Sequence, residues 1–171
     1  MNLLKTFNIG MDRQLAEFKE PPEGRQLNVG AGKKQIEDAD PIDYPGWIAG
    51  TSLPVDTGTV AQIYAFHFLE HLDVDDLVRT LREFERVLMV GGLVNIVVPF
   101  WDSELAHQDF DHKTFWSETS LRQLFFNTYY DGVMEHARYW KFQINAVVIM
   151  GIVQRNLAVL AQIERTYNVP G

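Results

Sequence analysis

Val60–Pro99, VAQIYAFHFLEHLDVDDLVRTLREFERVLMVGGLVNIVVP, says more about the architecture than any other part of the chain. Val60 to Phe66 is largely apolar, with β-branched and aromatic residues, which is the composition of a strand buried on both faces. Asp73 is a good helix N-cap, and Leu77, Leu81, Phe84 and Leu88 follow at helical spacing. Gly91-Gly92 is expected to end that helix, because glycine accepts the left-handed conformation just past a helix end. Leu93 to Pro99 is the strongest strand in the chain. Two apolar strands joined by an amphipathic helix predict a right-handed βαβ unit, and with it an α/β fold with a mostly parallel sheet.

Upstream of this unit, Arg25 to Val29 reads as a brief strand running into Gly30-Ala31-Gly32. A second short strand ends at Ile42-Asp43, before the turn Tyr44-Pro45-Gly46, and Trp47-Ile48-Ala49 predicts a very short third. The gap between the first two strands is small, so the first crossover helix is expected to be reduced or irregular. Residues 11 to 20 predict a lead-in helix stopped by Pro21-Pro22. Downstream, Ser117 is expected to cap a helix reaching about Asn127. Tyr129 to Glu135 and Phe142 to Val153 read as strands, although Ile144 to Val153 fits a buried helix equally well. Leu157 to Tyr167 is expected to be a closing helix.

Bulk composition narrows the function classes. The chain has 171 residues, 46% hydrophobic and 22% charged, which suits one globular domain. The absence of cysteine excludes disulfides, thiolate metal sites and cysteine nucleophiles. A net charge of −8, with no basic run beyond Lys33-Lys34, disfavours nucleic acid as a partner. The N-terminus lacks the apolar region of a secretory signal. The longest apolar run, Ala146 to Val153, is far short of the roughly 20 residues that cross a bilayer. No membrane association is expected, and a cytoplasmic location is the simplest account.

Gly30 and Gly32 end the first strand, at the carboxyl edge where open α/β sheets bind ligands. There a glycine lets a ligand approach the main chain, although Gly-Ala-Gly also reads as a plain turn. A phosphate-cradling loop, G-x-x-x-x-G-K-[ST], is ruled out by the residues around Gly32-Lys33-Lys34. A dinucleotide fingerprint wants a small residue where Gln35 stands, and an acidic residue about 20 residues on, later than Asp43. S-adenosylmethionine fits better. It has no pyrophosphate, needs room for its amino-acid arm, and wants a carboxylate such as Asp43 for its ribose hydroxyls. Asp43 as a turn residue remains the alternative.

The order of motifs resembles the class I S-adenosylmethionine-dependent methyltransferases, especially their short, type 11-like branch. The likeness rests on Leu27 to Gly32, on Asp43, on Leu53-Pro54-Val55-Asp56 through Phe66-His67-Phe68-Leu69-Glu70-His71-Leu72, and on Arg86 to Gly92 leading into Val94 to Pro99. Asp109-Phe110-Asp111-His112 with Phe115-Trp116-Ser117 is similar to the family's segment after strand five, with Phe110 in place of a proline. The resemblance implies a Rossmann-like three-layer sandwich, abbreviated here. It implies one domain over 1–171: a lead-in segment 1–22, a cofactor-binding core 25–100, and a substrate-side loop with C-terminal elements over 101–171.

Carried over by the same resemblance, Gly30, Ala31 and Gly32 line the methionine arm and Asp43 holds the ribose. Ser52 and Leu53 flank the adenine, and Phe66 and His67 face the cofactor. Asn28 stands where many members have Asp or Glu. Ala49 or Gly50, Ala61 and Val90 replace other family residues, the first two of them usually aspartates. For catalysis, histidine is the natural base near neutral pH. His71 and His112 are the candidates, with Asp111 (or Asp109) as the partner of His112; each histidine also reads as a loop brace. Glu70 reads as a structural carboxylate at a helix start. The aromatics Phe110, Phe115, Trp116, Phe125, Phe126, Tyr129 and Tyr130 read as core first and as a substrate wall second. No spacing matches a metal-ligand set such as H-E-x-x-H, so no metal is expected. The implied function is methyl transfer to a small-molecule or carbohydrate-like acceptor. The alternatives are a catalytically weak binding or partner subunit and, behind it, an NAD(P)-dependent oxidoreductase.

Overall fold

A computed structural model describes residues 18–126, 140–151 and 155–167. Its sheet has six strands: β1 (Arg25–Val29), β2 (Asp40–Ile42), β3 (Val60–Phe66), β4 (Leu88–Pro99), β5 (Phe142–Met150) and β6 (Ala158–Arg165). They lie in the order β2-β1-β3-β4-β6-β5. The first four pair in parallel. β6 runs antiparallel to both β4 and β5. The helices are α1 (Val74–Val87), α2 (Glu104–His107) and α3 (Glu118–Phe126), with a 3-10 turn at Leu69–His71.

α1 forms where the apolar spacing predicts it. The Asp73 carboxylate accepts from the Asp76 amide at 2.9 Å, satisfying one of the amides that a helix start leaves unpaired. Leu77, Leu81, Phe84 and Val87 are buried against the sheet. The helix ends at Val87, earlier than Gly91-Gly92 suggested. Leu88 is already extended and opens β4. In the β3–β4 pairing Val60 faces Leu88 while Gln62 faces Leu93, so Met89 to Gly92 bulge out of the ladder. Gly91, at φ +82°, supplies that bulge and not a helix cap.

Other expectations are corrected by pairing. Leu157 to Tyr167 is not a closing helix: Ala158–Arg165 is a strand inserted between β4 and β5. A strand covered on both faces carries a continuous apolar run, which by itself also fits a buried helix. Phe142–Met150 is a strand, the first of the two readings of that segment. Trp47-Ile48-Ala49 is a turn, closed by Trp47 N–H to Asp43 O at 2.9 Å and Thr51 N–H to Ile48 O at 3.1 Å. No helix occupies residues 30–39, so the first crossover is a bare loop. Tyr129 to Glu135 and most of the 11–20 lead-in lie outside the described residues. Within 18–20 there is no helix.

Alternation along the strands separates two cores. Leu27, Val29, Ile63, Val94 and Ile96 join residues of α1 and α3 in the larger one. Tyr64, Val97 and Leu160 point to the other face, where Phe18, Ile36 and Ala39 pack. Of the three layers expected, the second cover is therefore loop in the described residues. Where the sheet turns antiparallel, buried Gln162 donates to Asn95 Oδ1 at 3.0 Å.

Candidate functional site

The carboxyl ends of β1, β2 and β3 converge on the glycine turn. Gly30 N–H donates to Ile42 O at 2.9 Å, and Gly32 N–H donates to Asp43 Oδ2 at 2.6 Å. The other Asp43 oxygen accepts from the Tyr44 amide at 2.8 Å. Asn28, buried at the end of β1, braces the loop by donating from Nδ2 to Lys34 O at 2.9 Å. Ala31 is buried. The two glycines both have positive φ, but they face different surroundings. A Cβ on Gly30 would lie 2.4 Å from the Phe68 ring, whereas a Cβ on Gly32 would meet nothing within 4 Å. Gly32 thus presents bare main chain to open space beside the Asp43 carboxylate.

The end of β3 folds over this turn. Phe66 packs edge-on to Tyr64, with ring centroids 5.6 Å apart, on the smaller-core face. His67 holds a left-handed conformation, φ +52°, which a residue with a Cβ seldom adopts, and its amide donates to Val97 O at 2.8 Å. Phe68 then lies against Gly30 and faces Trp47 at 6.1 Å.

Ser52 and Leu53 are drawn to α1. The Leu53 amide donates to Glu83 Oε2 at 2.7 Å, and Ser52 Oγ donates to the same oxygen at 3.2 Å. Arg86 binds Glu83 and also donates to Leu53 O and Val55 O, both at 3.0 Å. Partial burial alone would raise the Glu83 pKa. The hydrogen bonds from Arg86, the Leu53 amide and Ser52, with the Arg86 charge, outweigh it and hold the carboxyl below its ordinary range.

A third group forms around the 3-10 turn. Glu70 is 1% exposed, and neither carboxylate oxygen has a hydrogen-bond partner. His67 Nδ1 lies 3.4 Å from Oε1, without the alignment of a hydrogen bond. Glu70, His71 and His112 each bring a donor atom to within 4.8 Å of the others. The His71 and His112 rings meet edge to face, centroids 4.8 Å apart. The main chain holds this arrangement: Glu70 O accepts from the Lys113 and Thr114 amides at 2.8 and 3.1 Å.

The expected Asp–His pair does not form. His112 Nδ1 binds Ala106 O at 2.9 Å, and neither the Asp109 nor the Asp111 carboxylate bonds its ring among the described residues. Asp111 is exposed, and its amide donates to Asp109 Oδ1 at 3.1 Å. Phe110 and Phe115 are exposed, the latter stacked on His107, while Trp116 and Phe125 are core. Tyr129 and Tyr130 lie outside the described residues. The Glu70 side chain, read from the sequence as a structural carboxylate at a helix start, accepts from no amide among the described residues, and its place beside two histidines was not foreseen. Its only local signal was adjacency to His71, since His112 arrives from a distant loop.

No family model matches the sequence, and no curated protein matches it. Solved structures do. An S-adenosylmethionine-dependent methyltransferase from Thermotoga maritima, described as a possible histamine N-methyltransferase, aligns with 84% of this chain and 82% of its own, at 16% identity and TM-score 0.52. The 1,6-didemethyltoxoflavin-N1-methyltransferase of Burkholderia thailandensis, solved with bound S-adenosylhomocysteine, aligns with 82% of this chain and 70% of its own, at 12% identity and TM-score 0.57. The cyclase SpnF aligns with 84% of this chain and 75% of its own, at 12% identity and TM-score 0.54. Glycine turn, strand order and neighbours agree: the chain has the fold of the class I S-adenosylmethionine-dependent methyltransferases.

Proposed function

We propose that the protein transfers a methyl group from S-adenosylmethionine to a small-molecule acceptor. The observation that carries the reading is the open main chain at Gly32 beside the Asp43 carboxylate, at the carboxyl edge of a parallel sheet. The residues fit the cofactor. Gly30, Ala31 and Gly32 would hold its methionine arm. Asp43 keeps lone pairs beyond those taken by the Gly32 and Tyr44 amides, and would accept from the ribose hydroxyls. Phe66 and His67 would form the adjoining wall, and Asn28 keeps the loop in place. The Ser52 hydroxyl proton and the Leu53 amide are spent on Glu83, so contact with adenine there would be apolar or through Ser52 Oγ as an acceptor. When bound, the cofactor supplies an electrophilic methyl group on a sulfonium.

The acceptor would meet the protein at His71 and His112. A carbonyl oxygen can only accept, so the contact with Ala106 O makes His112 Nδ1 the donor. Nε2 then carries the lone pair. With no hydrogen bond from its carboxylate to the His112 ring among the described residues, Asp111 is left out of the proposed catalytic set. One observation favours a second reading, in which the domain holds the cofactor but serves a different reaction. A neighbour of equal likeness is a cyclase.

Calorimetric titration with S-adenosylhomocysteine, with NAD as control, tests the proposal. We expect saturable binding of S-adenosylhomocysteine alone, weakened about 10-fold (~1.4 kcal/mol) by Asp43→Ala with the circular dichroism unchanged. Unaltered affinity in that variant would sink the ribose assignment. NAD binding alone would overturn the methyltransferase reading. Tight binding without turnover on any acceptor would favour the second one.

A further inference from the structure

We propose that Glu70, His71 and His112 form a binding site for a divalent transition-metal cation, zinc-like in its ligand preference. The first observation is the gathering of three donor groups within 4.8 Å of one another. The second is independent of it. Glu70 is all but fully buried, yet neither of its oxygens has a hydrogen-bond partner. An unpaired buried carboxylate is among the costlier groups a protein can hold, and such charges are normally paired or bound to metal. His67 at 3.4 Å from Oε1 answers for one oxygen at most. A cation between Glu70 and the two imidazoles would bind one oxygen and offset the charge that both share.

The surroundings fit ligation. Donation from His112 Nδ1 to Ala106 O fixes the tautomer, leaves Nε2 to bind, and is the outer contact that metal-bound histidines usually make. Main-chain bonds from Lys113 and Thr114 to Glu70 O hold the His112 loop against the turn that carries Glu70 and His71. Donor atoms around a tetrahedral zinc sit about 2.0–2.2 Å from the metal. Binding at that distance requires the three donors, now within 4.8 Å of one another, to draw closer by side-chain rotation. Two imidazoles and one carboxylate are a poor set for magnesium or calcium, which take oxygen shells, and a good one for zinc and the other transition metals that favour imidazole.

Three protein ligands leave a coordination position free, as in catalytic rather than structural zinc sites. His71 and His112 are only half-buried, so that position is open to an oxygen donor: water, a hydroxyl or a carboxylate. That this donor belongs to a methyl acceptor rests on the methyl-transfer reading; occupancy by the cation does not.

The test is a titration of the full chain with Co²⁺, read in the visible spectrum, and with Zn²⁺, read by calorimetry. The expected result is one equivalent bound. Glu70→Gln and His112→Gln should weaken binding more than about 100-fold, beyond the loss typical of outer-shell changes. His107→Gln, which removes an exposed histidine outside the group, should bind within about 3-fold of the parent. X-ray absorption on the zinc-loaded parent needs no variant and should show two imidazoles. No binding by the parent, equal binding by all variants, or a zinc shell without imidazole would each overturn the proposal. S-adenosylhomocysteine titrated into the same samples separates the two readings. Cation binding without it leaves the metal site standing alone, and the reverse leaves only the cofactor site.

Discussion

A methyl group added at Gly30 would meet carbons of the Phe68 side chain at 2.4 to 2.7 Å, while one added at Gly32 would meet open space. In sequence the two glycines look interchangeable. In the structure, Gly30 is required by packing and Gly32 only by its left-handed backbone. A bulky residue at position 30, expected from the sequence to obstruct a ligand, instead strikes the protein itself. Gly30→Ala should therefore cost about 2 kcal/mol or more, from overpacking plus a strained φ. Gly32→Ala should cost about 1 kcal/mol, from the φ alone. Equilibrium denaturation in urea checks both, and similar costs at the two positions would contradict the Phe68 contact. The sequence showed that glycine belongs at both sites. It did not show Phe68, because nothing local says which side chain crosses from β3 to lie on β1's turn.

Among the helices and strands, α1 does more than cover the sheet. Glu83 and Arg86, one turn apart and both partly buried, hold the chain segment Ser52 to Val55 through four contacts to side-chain or main-chain atoms. Because the Glu83 carboxyl is held below its ordinary value of 4.5, it titrates lower folded than unfolded. Its contribution to stability is complete above that ordinary value and is lost as pH falls through the lower folded one. Compared with Glu83→Gln, the parent should be more stable near neutrality, and the gap should close in acid. Unfolding curves measured across pH 7 to 3 would show it, and a gap independent of pH would refute the carboxylate's role. The amphipathic register of α1 was legible from Leu77, Leu81 and Phe84. Its end was not, because a glycine pair serves a strand bulge as readily as a helix cap.

For the sheet and the molecule built on it, β6 is the closing piece. It lies between β4 and β5, is buried from Ala158 to Ile163, and carries the Gln162–Asn95 contact. Removing it would expose the edge of β4 and leave β5 with no neighbour in the sheet. A chain ending at Leu157 should fail to give the cooperative unfolding transition of the full chain by circular dichroism. A native-like transition would mean that β1 to β4 fold without it. No helix among the described residues is long and apolar enough to cross a membrane.

Local sequence was enough to specify the βαβ unit around Val60 to Pro99, the glycine turn, and the cap and buried stripe of α1, since each depends on residues close together in the chain. It pointed to a helix where Ala158 to Arg165 is a strand, and left Ile144 to Val153 open between the two, because a short apolar run fits both until its neighbours are known. Tertiary structure also gave the His112 ring Ala106 O as its partner in place of a carboxylate and set Glu70 beside two histidines. Those outcomes depend on where a loop returns to the sheet, and local spacing carries no record of that.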